Sequence, residues 1–220
     1  MNPRLSIGKQ YRRIKMEQWL DCYGGYPAVI DQIELDTYQA EFCFVQYMPI
    51  KFPFGFTAVP DNLNWVAPLI KRVYKTTLCN DKYMYLTVKK MYGSCNREGW
   101  HTDGFGTDDI NFVWYDASPT QFDIGVFHLP HCHEKSIQYM SEQHNEANVI
   151  EYPCKTLLML DQSIVHRVNP KPYNGFRTFI KISISDSKYN LRGNAHNYLL
   201  DYNWKMIDRL EERNHPIGVQ

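Results

Sequence analysis

The sequence predicts a mostly β fold with flanking helices, an α+β arrangement built on an antiparallel sandwich or barrel. Seven short runs rich in β-branched and aromatic residues follow one another: EFCFVQY, YMYLTVKKMY, INFVWY, IGVFHL, TLLML, IVHRV and FRTFIKISIS. Turn chemistry separates them (GSCNREG, DASPT, NPKPYNG), and no convincing helical period interrupts the stretch from Gly99 to Ser185. Helical periods instead occupy the two ends.

At the amino end, Met16, Trp19, Leu20 and Tyr23 recur at helical spacing before Gly24-Gly25, which predicts an amphipathic helix over about residues 10–23 with Lys9, Arg12, Arg13 and Lys15 on its solvated face. A second helix is expected through VAPLIKRVY, where Val66, Leu69, Ile70 and Val73 share a face and Pro68 sits near the start. The tail places Leu200, Trp204, Ile207 and Leu210 on one face, a carboxy-terminal helix over about 197–213. The 220 residues are expected to form one domain: a helical part to about residue 78, a β core over about 80–187, then the tail.

Composition narrows the function classes. Apolar residues make up 44% and charged residues 22%, as in a globular chain. Twenty-four basic residues balance twenty-four acidic ones, so no global field favours a phosphate backbone, and only a local patch could draw nucleic acid. The basic runs Lys9 to Lys15, KRVYK (71–75) and Lys89-Lys90, interleaved with tyrosines, are candidates for such a patch if they converge. Six scattered cysteines form no C-x-x-C pair and fit a reducing compartment. The amino terminus lacks the apolar core of a signal peptide and no run is long enough to span a bilayer, so a cytoplasmic location with no membrane partner is expected.

The chemistry concentrates in GWHTDGFGTDDINFVWYD. His101 and Asp103 lie two apart, so on an extended segment both project to one side and can converge on one cation. His166, at the end of a β-branched run, is the candidate third ligand; two histidines and one carboxylate leave three positions open on a non-haem iron. Eleven residues on, Arg177 opens a strand, shares its face with Phe179 and lies opposite Ile180, Ile182 and Ile184. A guanidinium buried there needs an anion, and a carboxylate matches its fork.

H-x-D, a distant histidine in H-R-V and an arginine about ten residues later resemble the Fe(II)- and 2-oxoglutarate-dependent dioxygenase superfamily over about Tyr83 to Ser185. The resemblance implies a double-stranded β-helix (jelly-roll, cupin-like) core. It also implies iron held by His101, Asp103 and His166, and 2-oxoglutarate anchored by Arg177, with O2 as the oxidant. Tyr92 is similar to a tyrosine with which some nucleic-acid demethylase members bond the co-substrate, although Lys90 stands where that branch has asparagine. The implied reaction hydroxylates a C–H bond and releases succinate and CO2. DGFGTDDINFVWYD is similar to oxygenase-like proteins encoded by bacteriophages, some of whose relatives act on modified DNA bases; that would place the chain in a host cytoplasm. The family's substrates include small molecules, protein side chains and nucleobases, and likeness does not choose among them. Asn111, His128 and His131 are the candidate substrate contacts; their plainer readings are turn chemistry and surface position.

Two other classes remain open. A binding protein could keep such a scaffold without turnover. Alternatively, from Gly125 the spacing of His131 and His133 resembles the opening of a cupin motif, with His128, Cys132 and Cys154 as possible additions to a metal site, but Ile137 and Gln138 stand where its glutamate belongs.

Overall fold

The computed structural model describes residues 19–39, 41–77, 79–93 and 99–209. Eleven strands and two α-helices are found among them, and every strand pairing is antiparallel. The strands are β1 (Trp19–Tyr23), β2 (Ala28–Gln32), β3 (Cys43–Lys51), β4 (Tyr83–Tyr92), β5 (Ile110–Tyr115), β6 (Gln121–Asp123), β7 (Val126–Pro130), β8 (Val149–Glu151), β9 (Thr156–Leu160), β10 (Val165–Arg167) and β11 (Phe176–Ser185). The helices are α1 (Ala67–Thr76) and α2 (His133–Gln143).

The large sheet runs β2-β9-β5-β11-β4-β3; a smaller one runs β10-β6-β8, and β1 pairs with β7 alone. Strand parity divides the large sheet into two faces. Met84, Leu86, Val88, Phe112, Trp114, Ile180, Ile182 and Ile184 pack on the outer face with Leu69, Ile70 and Val73 of α1. On the inner face Val113, Tyr115, Leu158, Leu160 and Phe179 pack against Phe122 of β6 and Ile150 of β8. The second helix expected from the sequence is therefore α1, with Pro68 in its first turn. All seven predicted strand runs are strands in the structure.

Three expectations fail for identifiable reasons. Trp19–Tyr23 is a strand, β1, because its backbone pairs with β7 and tertiary pairing overrides the short helical period; the rest of that predicted helix lies outside the described residues. The tail from 197 to 209 is not helical, and the rest of that predicted helix lies outside the described residues. The tail runs as a strap in which Ile207 bridges Leu191, and Tyr202 and Trp204 pack on Phe52. Asn197 fixes its start by donating to the carbonyls of Pro49 and Ala58, both at 2.9 Å. Finally, α2 falls inside the region expected to be free of helix. It buries only Ser136 and Met140, too narrow a stripe to give a clear period in HEKSIQYMSEQ.

Met140 nevertheless joins α2 to the interior. With Phe127 and Leu129 of β7 it backs a cluster that contains Trp100, Phe105 and Val165, the residues beside His101 and His166. Among the described residues no helix is long and apolar enough to cross a membrane. Leu86 is fully buried between β11 and β3 on the α1 face, so Leu86→Ala should lower unfolding free energy by about 3 kcal/mol, read as a lower urea midpoint at unchanged slope.

Candidate metal centre

His101 and His166 are tied together by their own backbones: the His101 amide donates to the His166 carbonyl at 3.0 Å and the His166 amide to the His101 carbonyl at 2.9 Å. Residues paired across antiparallel chains project to the same face, and the two imidazole centroids lie 4.5 Å apart. Each ring is oriented by a carbonyl two residues back. Nδ1 of His101 lies 3.1 Å from the Gly99 oxygen, and Nδ1 of His166 lies 2.9 Å from the Ile164 oxygen. These carbonyls fix the Nδ1–H tautomer and leave Nε2 to bear the lone pair, the usual outer partner of a metal-binding histidine.

Asp103 completes the group. The ligand atoms of His101, Asp103 and His166 all lie within 4.8 Å of one another, with Asp103 Oδ2 3.7 Å from His166 Nε2. Gly104 makes the geometry possible: it turns the chain at φ +72°, and a Cβ there would meet the Thr107 hydroxyl at 2.9 Å and the Asp109 Cβ at 3.1 Å. Two neutral imidazoles and a carboxylate, all nearly buried, are a fitting donor set for a divalent transition metal.

The sequence reading missed Lys181. On the inner face of β11 its ammonium donates to Asp103 Oδ2 at 2.9 Å and to the Tyr47 hydroxyl at 2.8 Å, and it lies 4.7 Å from the Tyr47 ring centroid. Burial alone would raise the Asp103 pKa, but the adjacent Lys181 charge overcomes it and holds the carboxyl well below its usual value. Burial likewise opposes the Lys181 charge, and Asp103 and Tyr47 outweigh it, so the ammonium titrates above its usual range. Lys181 has the same parity as Arg177 and Phe179, and that signal was available. Tyr47 was not legible, because it reaches the site through a bulge between Val45 and Met48, with its own φ at +46°.

These residues line a cavity of about 470 Å³ between the β11-β4-β3 part of the large sheet and β10. Arg177 lines it too and is 1% exposed. Its Nε donates to the carbonyls of Ala117 and Ser118, both at 3.0 Å, and Nη2 lies 3.4 Å from the Thr120 hydroxyl. No carboxylate among the described residues pairs with it. A buried guanidinium whose hydrogen bonds go to neutral oxygens, flanked by the Tyr115 and Phe179 rings and beside open space, suits a carboxylate-bearing ligand.

The other predicted site residues are not gathered there. Tyr92 is 60% exposed, projects to the opposite face from Lys89 and Met91, and bonds Asn174 rather than facing the cavity. Asn111 is buried on β5, where its side-chain oxygen accepts from Ser183 at 2.6 Å, off the cavity wall. His128 and His131 are exposed, on β7 and in the turn before α2, and His133 opens α2. Among the described residues His101, Asp103 and His166 are the only grouping fit for a metal, so the His131 cluster is not gathered as a centre.

In the metal-free chain, replacing Lys181 strands a buried carboxylate. Lys181→Met should destabilise it by about 3–5 kcal/mol, and a divalent metal should restore the melting temperature. The pair's pH window comes from the two shifts. Asp103, depressed in the fold, stabilises above its unfolded pKa of about 3.9 and loses that contribution as pH falls through its folded value. Lys181, raised in the fold, stabilises fully below about 10.4 and loses that contribution as pH rises through its folded value. Stability of Lys181→Met should therefore converge on wild type only at the acid and alkaline extremes.

No protein-family model and no curated protein matches the chain.

Proposed function

We propose that the chain is a non-haem Fe(II)- and 2-oxoglutarate-dependent oxygenase that hydroxylates a C–H bond of its substrate, on a double-stranded β-helix formed by the two facing sheets. One observation carries the reading: the buried His101-Asp103-His166 group and the buried Arg177, without a carboxylate partner among the described residues, line the same cavity. A site for metal alone would not need a second buried cation aimed into the same space.

His101, Asp103 and His166 would hold the metal on one face. Bound iron and 2-oxoglutarate together supply the activation of O2, with succinate and CO2 released as the substrate gains a hydroxyl. Arg177 would fix the far carboxylate of 2-oxoglutarate, while Thr120 and the carbonyls of Ala117 and Ser118 hold the guanidinium in place before the ligand arrives. Lys181 keeps Asp103 ionised and ready to ligate, and Tyr47 holds that ammonium from the other side. Phe179 walls the cavity between the levels of Arg177 and Lys181, limiting water there.

Purified protein given Fe(II), ascorbate and 2-oxoglutarate in air should form succinate slowly without added substrate. Arg177→Gln should raise the half-saturating 2-oxoglutarate concentration at least about tenfold, the loss of charge-assisted bonds, with metal affinity unchanged. His131→Ala should behave as wild type. Succinate formation that survives His101→Ala or Asp103→Ala would refute the assignment.

A further inference from the structure

Beside the aliphatic and mixed clusters of the two sheets and α2, one further cluster is wholly aromatic. Tyr47 of β3, Tyr85 of β4 and Tyr189 are buried together, with Tyr83 and Trp204 packed against them. The rings form a connected series. Tyr47 and Tyr189 meet edge to face with centroids 5.4 Å apart, Tyr189 and Tyr85 stack at 4.0 Å with planes 6° apart, and Tyr83 follows at 6.0 Å. Trp204 of the carboxy-terminal strap lies 5.9 Å from Tyr83 and is half-buried, so the series ends at the surface. Rings at these separations are in contact.

The inner end meets the candidate metal centre. Tyr47 is the only tyrosine or tryptophan among the described lining of the cavity, and Lys181 donates both to its hydroxyl, at 2.8 Å, and to Asp103, at 2.9 Å. Two hydrogen bonds thus separate a phenol from a ligand carboxylate. Phe44 and Phe179, which also line the cavity, carry rings that resist one-electron oxidation. Tyrosine and tryptophan are the side chains that give up an electron most readily, and here they lead in one direction, away from the site.

Tyr189 is set apart by its proton acceptor. Its hydroxyl donates to Asp109 Oδ2 at 2.5 Å, and Asp109 is buried. Burial and the Asp109 charge keep the phenol protonated, well above its ordinary titration range. Such a phenol loses an electron easily, because its proton can move at once along an existing hydrogen bond. Tyr85 instead donates to the Ser187 carbonyl at 2.8 Å, a poor base.

We infer that Tyr189, with Asp109 as its proton acceptor, is a redox-active tyrosine that supplies an electron to an over-oxidised metal centre and is reduced again through Tyr85, Tyr83 and Trp204. The inference rests on the oxygenase reading for the source of the oxidant, which is O2 activated at the iron with no substrate C–H bond in reach. One electron then passes from Tyr189 to the oxidised iron, and the phenolic proton passes to Asp109, leaving a neutral radical. An external reductant of the ascorbate class gives one electron at Trp204 and releases its own proton to water. The stacked rings carry that electron to Tyr189, which takes its proton back from Asp109. The protein ends unchanged, and the metal has been reduced by one electron before it can damage the cavity wall.

The test uses the full chain loaded with Fe(II) and given stoichiometric hydrogen peroxide without 2-oxoglutarate. Reduction of peroxide to water takes one electron from Fe(II) and one from tyrosine. Samples frozen rapidly should show a tyrosyl radical by electron paramagnetic resonance, narrowed when the tyrosine rings are deuterated and quenched by ascorbate. Tyr189→Phe and Asp109→Asn should lose the signal while still binding iron, and Tyr26→Phe, an exposed control, should keep it. Should Tyr189→Phe fail to fold, Asp109→Asn, which retains the whole ring series, decides. No tyrosyl signal in the iron-loaded wild type, or a signal that survives either substitution, would overturn the inference. The 2-oxoglutarate charge-transfer band on the same samples separates the two readings. A radical with no band would sink the oxygenase assignment and leave the electron route standing, whereas a band with no radical would sink the route alone. A chain that binds no iron would sink both.

Discussion

Two backbone hydrogen bonds, exchanged between His101 and His166, hold the candidate centre together. They join segments 65 residues apart in the numbering, and once joined the antiparallel pairing leaves the two imidazoles no choice but to share a face. Everything around the pair supports that bridge. Trp100, Phe105 and Val165 bury the flanks against β7 and α2, and the carbonyls of Gly99 and Ile164 set the rings. Gly104 then turns the chain so that Asp103 faces the same point.

The second constraint is electrostatic. An ionised Asp103 in so buried a place needs compensation, and Lys181 supplies it from the inner face of β11. The same strand, by parity alone, brings Arg177 and Phe179 to the cavity and sends Ile180, Ile182 and Ile184 to the α1 side. A single strand thus ties the outer core to the chemistry: its apolar face anchors it, and its polar face is held in register against β4 and β5.

Much of this was legible because strand alternation is a local signal. The runs that became β4, β5, β9 and β11 announced themselves, and H-x-D with a distant histidine named the residues that the structure gathers. What was illegible depended on tertiary pairing. Trp19–Tyr23 followed its partner β7 rather than its own period, and the tail followed Leu191 and Phe52. Tyr92 was misplaced by one step of parity: counting from Lys89 and Met91 would have sent it outward. Lys181 was visible by that same count, whereas Tyr47 and Arg209 come from a bulge and a strap that no periodicity reports.

The central claim, one metal and one 2-oxoglutarate in a shared cavity, is tested most directly without oxygen. Fe(II) and 2-oxoglutarate added anaerobically to the purified chain should give a weak visible charge-transfer band. His101→Ala should abolish the band, and Arg177→Ala should weaken it. A chain that binds metal stoichiometrically yet gives no band at saturating 2-oxoglutarate would contradict the account.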